Sequence, residues 1–299
     1  MRGGGASPAH FYPVAAAVGL QRRKVVGRTD ITSGSMTDIR GAVALVTGAN
    51  GGLGRVIATA LRREGCEVIV TGRRATAVES VASEVQGRAV VADLGRRDEM
   101  ERLLLEAGPL DIVVMNAALP ASGDLQDWEQ SQMDNALEVN LGSPIAMTRA
   151  LLPSFRSRRS GHFVFVSSLA GKVGSKGAPL YSATKFGLRG FAAGLRCDLH
   201  GSGVGVSVVN PGFVRDAGMF AQTGAKLPFG VGTVSPEQVS AAVVRAIRED
   251  RAEIDVAPAL LRLGAAIGSL APNLSAAFQA RFGSSVSAQL VEAQQGRRS

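Results

Sequence analysis

The chain has 299 residues, 45% hydrophobic and 19% charged, with a mean hydropathy of +0.14; this excludes a disordered chain and suits one α/β domain or two smaller ones. Two cysteines, Cys66 and Cys197, exclude a disulfide framework and point to a reducing, cytoplasmic setting. The net charge of +8 sits mainly at the ends, with Arg2, Arg22, Arg23, Lys24 and Arg28 against Asp30 alone at one and Arg297 and Arg298 at the other, which argues against a nucleic-acid surface on the body.

Residues 1–35 keep no period of 2 or 3.6, and their basic cluster follows the apolar stretch 14–20. That is the wrong order for a secretory signal. A disordered leader, or an upstream start with Met36 as the true first residue, is expected; an organelle presequence is the alternative. From residue 36 the chain alternates two kinds of segment. Short runs rich in Val and Ile occupy 43–47, 67–71, 88–92, 111–115, 162–167, 205–210 and 254–256. Segments with helical spacing lie between them. Several runs are apolar on both faces, as in Ile112-Val113-Val114-Met115, which suits a parallel sheet buried between helix layers. The alternation predicts a doubly wound α/β fold over 36–256, followed by a helical tail over 257–299. Ser235-Pro236-Glu237-Gln238 carries an N-cap, a Pro at N1 and a Gln at N3, and so predicts a helix start.

The first run leads into Thr47-Gly48-Ala49-Asn50-Gly51-Gly52-Leu53-Gly54 and then a helical segment. Glycines at 48, 52 and 54 allow a tight turn and close approach of a pyrophosphate, and the helix start offers free N–H groups. The second run ends in Thr71-Gly72-Arg73-Arg74, where an NAD site would place Asp or Glu. The missing acid favours NADP, with Arg73 meeting the 2′-phosphate; two solvated surface arginines are the plain alternative. Asp93, after the third run, is placed to accept from an adenine amino group or simply to make a turn.

Tyr181 and Lys185 stand four apart in a helical segment, on one side of it. An ammonium beside a phenol favours the phenolate and is expected to lower the Tyr181 pKa. Ser168 ends the fifth run, thirteen residues before Tyr181.

With these residues in place, the chain resembles the short-chain dehydrogenase/reductase family in its compact form, from about Gly41 to Val256. The resemblance rests on the glycine turn, Asp93, Asn116-Ala117-Ala118, Asn140, Ser167-Ser168, Tyr181 with Lys185, and Asn210-Pro211-Gly212. It implies a Rossmann-type, seven-stranded parallel sheet with helices on both faces. It implies Tyr181 as general acid and base, Ser168 holding the substrate oxygen, and Lys185 binding the nicotinamide ribose. It further implies Asn140 holding a relay water, Asn116 lining the cofactor groove and the Val214 N–H meeting the carboxamide. Asn50, Leu53, Leu94, Pro211 and Gly212 complete the expected groove. Three departures stand out: Ala118 replaces the usual Gly, Asp216 the usual Thr, and Gly51 a basic residue.

Other residues invite structural readings. Cys66 and Cys197 read as core or half-buried thiols, and His162 and His200 as surface or capping residues. Trp128 and Met133 read as helix packing. His10, His162 and His200 share no metal-ligand spacing. The expected function is an NADP-dependent oxidoreductase exchanging a hydride between the nicotinamide and an apolar ketone or secondary alcohol. Leu169, Val173, Phe213, Met219, Phe220, Leu227 and Phe229 are the expected cleft residues. A cofactor-binding regulator with little catalysis is the rival from another class. A homodimer or homotetramer is expected, and the apolar segment 259–271 is expected to pack on protein rather than on a membrane.

Overall fold

A computed structural model describes residues 37–221, 227, 231–271 and 273; the expected leader and most of the tail lie outside them. Seven strands form one parallel sheet in the order β3-β2-β1-β4-β5-β6-β7. They are β1 (Val43–Thr47), β2 (Glu67–Gly72), β3 (Arg88–Val91), β4 (Ile112–Met115), β5 (Gly161–Val166), β6 (Val204–Pro211) and β7 (Glu253–Val256). Each matches a run read from the sequence to within one residue at either end.

The helices α1 (Gly52–Arg63), α2 (Ala75–Glu84), α3 (Arg97–Ala107), α4 (Gln130–Leu137), α5 (Ser143–Arg158), α6 (Pro179–Asp198), α7 (Gly218–Ala221), α8 (Pro236–Arg248) and α9 (Ala259–Leu270) follow in chain order. Successive strand residues point to opposite faces, so the sheet divides the core in two. Ala44, Val46, Val68, Val70, Ile112, Val114 and Val164 pack under α1, α2 and α8. Leu45, Ile69, Val113, Met115, Phe163 and Phe165 pack under α3, α5 and α6. Strands buried on both sides need apolar residues at every position, which is why their runs are continuous rather than alternating.

The predicted capping box is present at the start of α8. Ser235 Oγ accepts from Gln238 N at 3.3 Å, and Gln238 Oε1 accepts from Ser235 N at 2.8 Å. The strand order reverses between β1 and β4, and the crevice at such a reversal is where open α/β sheets bind ligands.

In α9 only Ala265 and Gly268 are buried, while Leu260, Leu263, Ile267 and Leu270 are exposed. The protein cover expected for this segment is not among the described residues. No helix among them is long and apolar enough to cross a membrane.

Candidate active site

The glycine turn is fastened to the sheet by Thr47 and Asn116. Thr47 Oγ1 donates to Val114 O (3.3 Å) and accepts from the N–H groups of Asn116 and Ala117, both at 3.0 Å. Asn116 Nδ2 donates to Thr47 O (3.0 Å) and Gly48 O (3.3 Å). Asn116 therefore holds the shape of the turn. Gly48 has φ +65°, and a Cβ there would lie 2.7 Å from Ala117 Cα. A Cβ at Gly54 would collide with Gly48 O, and one at Gly52 would sit 2.8 Å from Ala217 Cβ. At the start of α1, Gly51 offers no side-chain cap and the first turn holds no acid. The positive end of that helix is left for an anion. This cradle fits a dinucleotide pyrophosphate.

At the end of β2, Gly72 is buried against Asn50, whose Oδ1 would lie 2.6 Å from a Cβ there. Arg73 is exposed and has no partner among the described residues. Arg74, not singled out in the sequence, caps α2 and donates from Nη2 to Asn50 O at 3.4 Å. Arg74 thus reaches Asn50 of the turn. Asp93 Oδ1 accepts from Gly95 N at 2.9 Å, so part of its carboxylate closes its own turn. Leu94 is buried, and its carbonyl accepts from Ser143 Oγ.

Ser168 extends from the end of β5. Its Oγ accepts from Ala170 N (3.2 Å), donates to Pro211 O (3.4 Å) and is hydrogen-bonded with the Tyr181 phenol. Tyr181 lies on the first turn of α6, with Lys185 one turn on. Lys185 is 3% exposed; its Nζ donates to Val166 O at 3.0 Å and lies 5.6 Å from the Tyr181 ring centroid. Burial pushes Lys185 down to about 8. The phenol departs from the sequence expectation: burial raises the Tyr181 pKa, and the Ser168 hydrogen bond opposes this. A raised pKa favours the protonated phenol.

Asn140 sits in one turn of π-helix, Glu138–Gly142, joining α4 to α5. Such wide turns cluster at functional sites. Its Oδ1 accepts from Leu119 N (2.6 Å) and its Nδ2 donates to Leu119 O (3.0 Å). These two bonds tie the wide turn to the main chain at Leu119.

After β6, Gly212 N donates to Val256 O at 2.9 Å, and Val214 bridges Val234. Asp216 is exposed at φ +63° and ion-paired to Arg215 at 3.5 Å. Phe213 and Phe220 rings meet at 5.0 Å; Leu169, Val173, Met219 and Leu227 are half-buried, and Phe229 lies outside the described residues.

Two structural readings are corrected. His162 is fully buried on β5, because its ring fills the space that Gly205 leaves open on β6. Cys197 is exposed near the end of α6, while Cys66 is buried. Trp128 packs with Ala121, Ala136 and Leu180, and Met133 lies against them.

Sheet, glycine turn and the Ser–Tyr–Lys cluster together define an oxidoreductase of the dinucleotide-binding class. Residues 42–228 match the short chain dehydrogenase family, and the chain belongs to it. It is 33% identical over 252 residues to the ketoacyl reductase HetN of Nostoc sp. strain PCC 7120, covering 80% of this chain and 88% of that one. An uncharacterized oxidoreductase of Staphylococcus aureus strain USA300 is 31% identical, covering 72% of this chain and 95% of that protein. Among solved structures, a variant of actinorhodin polyketide ketoreductase with NADPH superposes with a TM-score of 0.67 at 27% identity, covering 74% of this chain and 98% of that one. A metagenomic short-chain oxidoreductase in complex with NADP gives 0.63 at 28% identity, covering 74% and 99%. The protein is thus a short-chain oxidoreductase acting between CH–OH and C=O groups with a nicotinamide dinucleotide.

Proposed function

We propose that the protein is an NADPH-dependent reductase of apolar ketones, with Tyr181 as the proton donor. The observation that carries this reading is the cluster itself: the half-buried Tyr181 on the first turn of α6, Ser168 at the end of β5, and Lys185 one helical turn on with its Nζ 5.6 Å from the Tyr181 ring centroid, where burial raises the phenol's pKa and favours its protonated form. A neutral phenol is an acid already loaded for reduction. When bound, NADPH supplies the hydride. The turn Gly48–Asn50–Gly52–Leu53–Gly54, fastened by Asn116, holds the pyrophosphate. Arg73, with Arg74 beside it, binds the 2′-phosphate; Asp93 and Leu94 border the adenine. Pro211, Gly212 and Val214 border the nicotinamide.

Ser168 orients the substrate carbonyl oxygen by hydrogen bonding, and Tyr181 delivers its proton to that oxygen as negative charge develops there. Lys185 holds the nicotinamide ribose, and its ammonium stabilises the phenolate that remains. Leu169, Val173, Phe213 and Phe220 supply apolar wall, which favours a ketone with a hydrocarbon body over a sugar. The names of the relatives, a ketoacyl reductase and a polyketide ketoreductase, support a ketone as the reacting group.

The test is a panel of hydrophobic ketones assayed with NADPH and NADH in parallel, on wild type and Tyr181→Phe. The variant should lose about 10²- to 10⁴-fold in kcat while keeping NADPH binding. Near-normal turnover in Tyr181→Phe overturns the mechanism. A wild type that binds NADPH and reduces none of the panel favours the regulator.

A further inference from the structure

The edge strand β7 carries two carboxylates, Glu253 and Asp255, two residues apart and so on one face. Three arms from other elements converge on them. Lys172 Nζ donates to Glu253 Oε1 (2.8 Å) and Asp255 Oδ2 (2.7 Å). Arg189 Nε donates to Glu253 Oε2 at 3.0 Å. Asn210 Nδ2 donates to Glu253 Oε1 (2.8 Å) and Asp255 Oδ1 (2.9 Å). Two cations meet two anions, so the cluster is neutral and its hydrogen bonds are charge-assisted. Burial pulls the Lys172 pKa down, but hydrogen bonds to Asp255 and Glu253 prevail and raise it. Asn210 Oδ1 is buried with no partner among the described residues. The amide is therefore kept turned toward the carboxylates at the cost of its own acceptor.

Each arm begins beside the Ser–Tyr–Lys cluster. Lys172 closes the 3₁₀ turn Leu169–Gly171, whose N-cap is Ser168. In that turn a Cβ on Gly171 would lie 2.7 Å from the Lys185 carbonyl, so the turn is pressed onto α6. Arg189 follows Lys185 by one helical turn. Asn210 precedes Pro211, whose carbonyl accepts from Ser168 Oγ.

We propose that Lys172, clamped between Glu253 and Asp255 on β7, is a positioning residue that sets the place of Ser168 relative to Tyr181 and Lys185. The inference rests on the catalytic reading above. A misplacement of reacting groups by about 1 Å costs on the order of 100-fold in rate, and the clamp restrains the turn that starts at Ser168.

The experiment uses full-length Lys172→Met, Lys172→Arg, Glu253→Gln and Tyr181→Phe, with the best ketone of the panel. Lys172→Met and Glu253→Gln should lower kcat by about 10- to 100-fold with NADPH affinity within about twofold of wild type, and Lys172→Arg should restore most of the kcat. A clamp that only stabilises the fold would lower the melting temperature and leave kcat per folded molecule unchanged; that result overturns the inference. If Lys172→Met does not fold, Glu253→Gln carries the test. Tyr181→Phe separates the two readings. If it keeps turnover, the catalytic reading fails. If it is inactive while both clamp variants keep their kcat, the positioning inference alone fails.

Discussion

His162 makes acid stability predictable. Its Nε2 lies 2.8 Å from Ser207 Oγ, and that hydroxyl donates to Ala246 O at 3.3 Å. Nε2 is taken up by Ser207 Oγ, which leaves only Nδ1 of the ring. Nδ1 is buried and has no partner among the described residues. Protonating it would place a cation in the core, so burial lowers the His162 pKa from 6.5 to about 4. Asp250 pulls it up, and Arg196, ion-paired to Asp250 at 2.8 Å, pushes it down. The unfolded chain takes up this proton near pH 6.5 while the folded chain resists it until about pH 4. The stabilisation is therefore complete above pH 6.5 and is lost as pH falls through that window, by about 3 kcal/mol in all and about 2 kcal/mol by pH 5. His162→Gln keeps a donor toward Ser207 and removes the titration. Urea unfolding of both proteins at pH 7.5, 6, 5 and 4.5 should show the wild type losing about 2 kcal/mol more than the variant by pH 5. Parallel curves would refute the reasoning.

Arg73→Ala should weaken NADPH binding by about 10- to 100-fold and leave NADH nearly unchanged, because only NADPH carries the 2′-phosphate; fluorescence titration with both cofactors reads this, and equal losses would assign Arg73 a structural role. Gly54→Ala should abolish binding of either cofactor, since its Cβ collides with Gly48 O and crowds Asn116; calorimetry should find no binding while circular dichroism still reports a folded sheet. For ketone reduction, kcat/KM should fall as pH rises above about 8, where Lys185 loses its proton. A flat profile to pH 9.5 would remove Lys185 from the proton-dependent step. Truncation after Val256 should change the oligomer mass or the ketone KM while NADPH binding persists, as light scattering and kinetics would register.

The strands were legible because each is a short run rich in Val and Ile between helical segments, which needs no distant information; their order in the sheet was not. The glycine turn and the Ser168–Tyr181–Lys185 spacing were legible for the same reason: each is local in sequence or close to it. What escaped was set by distant residues. Asn140 was legible as a candidate, but its place in a wide turn between α4 and α5 and its bonds to Leu119, 21 residues away, were not. His162 was read as a surface residue because nothing local shows that Gly205, across the sheet, leaves room for an imidazole. The Tyr181 pKa turned on burial rather than on its neighbour in the helix, and burial belongs to the whole fold. Lys172 and Asp255 meet across 83 residues, a distance over which charge patterning carries no signal.

Thr47 also has a consequence for how the chain is made. Its hydroxyl binds the main chain of Asn116 and Ala117, 69 and 70 residues further on. During synthesis the glycine turn leaves the ribosome well before the strand that holds it in shape. At about 5–20 residues per second, it waits several seconds for β4. Until then the nascent chain carries β1, β2 and β3 without the central neighbour of β1, a slow, non-local assembly that is open to aggregation. Competence to bind a dinucleotide arrives only with β4, so nucleotide added during translation should protect the long nascent chains from proteolysis and leave the short ones exposed.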